Sequence, residues 1–161
     1  MCLISIQLRQ HAVYKLVLVA NRDEQYDRPA LPAHFWPDHP DLLAGKDLGA
    51  RGTWLGITKQ GRIAAVTNSY LITTQESDQK LSRGNLVMDY LTGNIGPEGY
   101  LEQIRQQRTD YNGFNLLIGS SDSLHHYNNI LDEISIIQTG SHAVSNATLD
   151  TPWPKVTLTK A

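Results

Sequence analysis

Short apolar runs joined by tight polar turns, interrupted once by a helical period, restrict what this chain can fold into. Residues 2–8 alternate, with Cys2, Ile4, Ile6 and Leu8 set against Leu3, Ser5 and Gln7. Residues 14–20 close on the near-continuous apolar run Leu16-Val17-Leu18-Val19-Ala20. Polar Arg9-Gln10-His11 between the two predicts a hairpin. A stretch carrying Pro29, Pro32, Pro37 and Pro40 follows and reads as a long irregular loop, too rich in proline for a helix or a central strand. Residues 53–58 and 62–67 predict a second hairpin about Lys59-Gln60-Gly61. The period then becomes helical. Ser82 reads as an N-cap, Leu86, Val87, Tyr90 and Leu91 share a face, and Gly93 ends the helix. A second helix is expected over 97–107, with Tyr100, Leu101 and Ile104 inward. Strands return at 114–119, 124–127, 134–138 and 142–145, and the last residues, 157–161, close no evident element. Strands, then helices, then strands with hairpin links imply antiparallel sheets layered with helices in an α+β fold, not a doubly wound parallel sheet. No linker or internal repeat divides the chain, so 1–161 reads as a single domain.

Composition narrows the function classes. The 161 residues are 40% hydrophobic and 19% charged, with net charge −2 and no basic run, so no nucleic-acid footprint is visible. No apolar run approaches the length of a membrane span. One cysteine excludes an internal disulfide, a multi-cysteine zinc site and a cysteine-held iron–sulfur cluster within one chain. That fits a reducing, cytoplasmic setting. That cysteine is Cys2, the residue that becomes N-terminal when Met1 is removed. It would then carry a thiol and a free amine together, and the amine can take the thiol proton. The plainer alternative is a small buried residue opening a strand.

Polar residues follow three of the apolar strands: Asn21, Arg22, Asp23 and Glu24 after the second, Asn68 after the fourth, and Asn146 after the last. Strand ends present side chains into clefts, although Asn and Asp also stand there simply as turn residues. With Cys2 they supply the parts of an amide-cleaving site: a thiolate, an aspartate and two side-chain amides for an oxyanion. Trp54 is a further candidate for the wall of the cleft, Trp36 reads as a lid or surface anchor, and Glu24 is expected to brace the loop against Arg22, Arg51 or Arg83.

Ala20-Asn21-Arg22-Asp23-Glu24 after a Met-Cys start resembles the NRDE family, which includes the transport and Golgi organization protein 2 homologues. Arg51-Gly52-Thr53-Trp54-Leu55-Gly56, Thr67-Asn68, Ser82-Arg83-Gly84, Gly113-Phe114-Asn115-Leu116 and the segment from Ser145 to Lys155 carry the resemblance in order over nearly the whole chain. That family in turn looks like the N-terminal nucleophile (Ntn) hydrolases of the penicillin V acylase and bile salt hydrolase group. The resemblance implies an Ntn-hydrolase-like αββα sandwich, incomplete at the C-terminus. It implies Cys2 as nucleophile, Asp23 as the holder of its amine, and Asn68 and Asn146 as oxyanion and orienting amides. Asn21, Arg22, Glu24 and Trp54 are expected on the substrate side.

Two functions follow as expectations. One is hydrolysis of a non-peptide carbon–nitrogen amide bond, with no cofactor and no metal required. The other, implied by the resemblance, is non-covalent haem, lipid or acyl-CoA binding and trafficking, with haem as cargo. Its ligands would come from Cys2, His11, His34, His39, His125, His126 or His142. His125 and His126 would face opposite ways on a strand. The expected partners are a small-molecule ligand and a second copy of the chain, pairing through an open sheet edge.

Overall fold

The computed structural model describes residues 2–71 and 76–160. The elements run β1 (Leu3–Leu8), β2 (Leu16–Asn21), β3 (Ala30–Trp36), β4 (His39–Asp47), β5 (Leu55–Thr58), β6 (Ile63–Asn68), α1 (Arg83–Thr92), α2 (Pro97–Gln106), β7 (Phe114–Gly119), β8 (Leu124–Asn128), β9 (Glu133–Ile136), β10 (Gly140–Val144) and α3 (Pro154–Lys160). They form two antiparallel sheets. The larger has seven strands in chain order, β3 to β9; the smaller is β10-β1-β2.

Strand alternation explains the layering. In β6, Ala64 and Val66 join a core with Leu86, Val87, Tyr90, Leu101 and Ile104 of α1 and α2, while Ala65 turns the other way. Leu116 and Ile118 of β7 face the helices; Leu117 meets Ile4, Ile6, Leu8 and Val144 of the small sheet. The pairs Ile4↔Val144 and Ser5↔Ala143 place Ala143 on the outer face of that sheet. There α3 lies across it, with Ser5 Oγ 3.5 Å from Thr159 O and Val156 buried. The layers are therefore helices, large sheet, small sheet, helix.

Several expectations are corrected. The proline-rich stretch is not an irregular loop but the β3–β4 hairpin. Pro32 is tolerated because β3 is an edge strand whose register shifts between Leu31 and His34, Pro29 and Pro37 lie outside the strands, and Pro40 stands in β4 before its pairing with β5 begins at Leu42. Trp36 is neither lid nor surface anchor: it is buried, donates Nε1–H to Ala44 O at 3.1 Å and lies under Lys46. Residues 157–160 complete α3, whose seven residues are held by packing more than by propensity. Ser82 stands at the N-cap of α1 without a side-chain capping bond. The helices otherwise start and stop near the expected positions, Gly93 included. Met1 and Ala161 lie outside the described residues.

Candidate functional site

An open cleft of about 1340 Å³ lies where β1 and β2 meet the ends of β5 and β6 and the start of α1. Cys2, Arg22, Asp23, Glu24, Trp54 and Asn68 all line it. Asn21 and Asn146 are not among its wall residues. No histidine lines it among the described residues, so of the haem-ligand candidates only Cys2 faces this space.

Cys2 is a free, half-buried thiol immediately before β1. Its position is set from the β10 side, where Ser145 donates its hydroxyl to Cys2 O at 2.8 Å. Asn146 is 1% exposed. Its Nδ2 donates to Asn68 O at 3.0 Å, and its own carbonyl accepts from Tyr70 N at 2.8 Å. Asn146 therefore ties the strand carrying Asn68 to the segment carrying Ser145. Asn68 itself reaches the cleft and donates Nδ2–H to Tyr70 Oη at 2.8 Å. Each amide nitrogen has a second N–H for another acceptor.

The four residues from Asn21 to Glu24 divide into two functions. Asn21 donates Nδ2–H to Asp23 Oδ1 at 2.5 Å. Asp23 is held below its ordinary carboxylate value, first by a hydrogen bond from the chain's N-terminal ammonium and then by Asn21, with desolvation opposing and Lys155 adding a favourable charge. Arg22 and Glu24 instead build an ion-pair cluster with Arg28 and Asp47. Arg28 Nε lies 2.7 Å from Asp47 Oδ2, and Arg22 lies 3.4 Å from Glu24 and 3.5 Å from Asp47. Glu24 thus pairs with Arg22 as expected, but with Arg28 rather than Arg51 or Arg83 as its other partner. Burial pushes Asp47 up, yet the Ala50 and Gly49 amides and Arg28 together outweigh it and hold Asp47 below its ordinary value.

A buried polar network that strand alternation could not reveal positions these parts. Asn115 on β7 donates Nδ2–H toward Ala147 O (2.8 Å), Thr67 Oγ1 (3.2 Å) and Ser145 O (3.4 Å). Its Oδ1 accepts from Asn128 Nδ2 (2.9 Å) and His126 Nε2 (3.0 Å). Thr67 Oγ1 donates to Ser145 O at 2.6 Å, and Ser69 Oγ to Ala147 O at 3.2 Å. Residues 145–147 are thereby clamped to the large sheet, and Cys2 with them. Thr67, Asn115, Ser145 and Ala147 stood in segments that carry the resemblance, and His126 among the ligand candidates, but Ser69 and Asn128 carried no signal. On the helix side, Gly52 and Gly84 touch backbone to backbone, since a Cβ on Gly52 would stand 3.2 Å from the Gly84 carbonyl carbon. This close approach brings Arg83 to the cleft, where it bonds Gly113 O at 3.0 Å and Glu76 at 2.7 Å.

A family model described as Transport and Golgi organisation 2 matches residues 1–161. Over 173 aligned positions the chain is 38% identical to the Transport and Golgi organization 2 homolog of Mus musculus, which covers 99% of this chain and 62% of that protein. The Homo sapiens homolog is 36% identical over the same coverage. Transport and Golgi organization protein 2 of Drosophila melanogaster is 32% identical over 120 residues, 67% of this chain and 42% of that protein. The chain thus spans under two thirds of the length of the relatives it matches.

Proposed function

This chain belongs to the Transport and Golgi organisation 2 family, and on that premise we propose that its cleft is a cysteine N-terminal-nucleophile site for cleaving a non-peptide amide bond. The observation that carries the reading is the placement of Cys2 and Asp23 on one cleft wall, with Asp23 held below its ordinary carboxylate value. The order helix, sheet, sheet, helix supports the Ntn-hydrolase-like sandwich, and Asn68 supplies an amide donor on the same wall.

In this reading Met1 is removed and the new amine of Cys2 donates to Asp23. The amine accepts the thiol proton as Sγ attacks the amide carbon. An N–H of Asn68 meets the oxyanion; one such donor is typically worth about 10²–10³ in rate. The proton passes to the leaving nitrogen, the C–N bond breaks, and a thioester remains. Water, deprotonated by the same amine, hydrolyses it and restores the thiol. Asn146 acts by positioning Asn68.

The apolar side of the cleft supports a second reading. Leu16, Leu18 and Leu55 lie along it, a wall suited to an acyl chain or another apolar cargo held without chemistry.

Intact mass after brief exposure to iodoacetamide at neutral pH separates the two. The hydrolase reading expects a chain lacking Met1 that takes one adduct far faster than free cysteine, and slower alkylation in Asp23→Asn. A retained Met1, an inert thiol, or an unchanged rate in Asp23→Asn overturns it.

A further inference from the structure

A second groove, of about 560 Å³, opens between β8, β9 and the turn at 148–149, and shares no wall residue with the Cys2 cleft. Its volume is in the range of small-ligand sites. His126 lines it while only 2% exposed.

The tautomer of His126 follows from the polar network. Asn115 Nδ2 faces the carbonyls of Ala147 and Ser145, which can only accept, so Asn115 Oδ1 must be the acceptor toward His126. Nε2 therefore carries the proton, and Nδ1 carries a lone pair. Among the described residues Nδ1 has no hydrogen-bond partner, and no fully buried side-chain nitrogen or oxygen lacks one. Nδ1 thus looks onto the groove. Burial pushes His126 down to about 4, with a weaker opposing pull from Asp150, so the ring is neutral near pH 7.

Ser135 stands directly across the β8–β9 ladder from His126, and Glu133 two residues on, on the same face. Arg105 and Asp132 at the rim neutralise each other at 2.9 and 3.2 Å. Glu133 makes no ion pair or hydrogen bond among the described residues. The groove therefore presents one uncompensated negative charge, one imidazole lone pair and one hydroxyl. Anions are repelled by this set, whereas a group rich in N–H donors satisfies it. We propose that the groove binds a small primary ammonium compound, whose N–H groups donate to His126 Nδ1 and the Glu133 carboxylate.

The test is a titration of the full chain, nitrogen-15 labelled, with ethanolammonium chloride at pH 7. Ethylene glycol and sodium chloride serve as controls. The expected result is a saturable shift of the His126 Nδ1 resonance and of the amides at Glu133 and Ser135, with those around Cys2 unmoved. Glu133→Gln should weaken binding about tenfold or more, the loss of one charge-assisted hydrogen bond. Glu133→Asp should retain it, which separates charge from fold. A shift that fails to saturate, equal shifts with sodium chloride or ethylene glycol, or undiminished binding by Glu133→Gln overturns the proposal.

Discussion

Asn115 shows how much of the cleft rests on one buried side chain. Its amide meets five partners drawn from β6, β8 and the 145–147 segment. Replacing it with alanine strands His126 Nε2–H in a dry interior, at about 1–3 kcal/mol for the unpaired group, while Ser145 O and Ala147 O keep the hydroxyls of Thr67 and Ser69. Asn115→Ala should therefore lose about 1–3 kcal/mol in urea denaturation. His126 adds a pH dependence. The unfolded chain protonates this ring near its ordinary value of 6.5, the folded chain only at about 4. Between those values the unfolded state holds more protons, so stability falls as pH drops from 6.5 toward 4 and is fully present above 6.5. The loss is on the order of 3 kcal/mol. Urea midpoints across that range should slope accordingly in the native chain and lose this slope in His126→Gln. Cys2, Asp23 and Asn68 were legible because a polar residue or a thiol at the end of an apolar strand draws the eye. Asn128, and the place of His126 in the buried network, were not, because a polar residue inside a strand gives no sign of which face will be buried.

Among the elements, β6 and β7 are joined closely where β6 runs into Ser69. Ser69 N donates to Gly113 O at 2.9 Å, and Arg83 reaches the same carbonyl from α1. A Cβ on Gly113 would collide with Ser69 O and press on Ile130. Gly113→Ala should cost about 1–3 kcal/mol, or more if the backbone cannot give, read as a lowered urea midpoint with unchanged slope. An unshifted midpoint would mean that β6 and β7 are not held this closely. Helices α1 and α2 could be read from their periodicity and flanking glycines. The β3–β4 hairpin could not, since its prolines signal a break unless one knows that β3 is an edge. For the same reason the Arg28–Asp47 pair stayed hidden, because it exists only once that hairpin has formed.

On the scale of the whole molecule, the small sheet depends on its outer helix. Removing residues 154–160 takes away buried Val156, the cover over Ala143 and the Lys160–Asp150 pair at 2.8 Å. Amide hydrogens of β1 and β10 should then exchange much faster while β6 and β7 stay protected; equal protection with and without the helix would refute this dependence. The α+β class and the hairpin order were readable because they rest on local periods. A two-sheet sandwich was expected only through the resemblance, and the pairing that closes the small sheet was not readable from those periods, because it joins Ile4 to Val144. That separation has a consequence for biosynthesis. The large sheet can assemble strand by strand as the polypeptide leaves the ribosome, but β1 gains its second neighbour only after about 140 residues have been made. Through most of translation β1 is paired only with β2, and the small sheet is completed by a step that waits for β10.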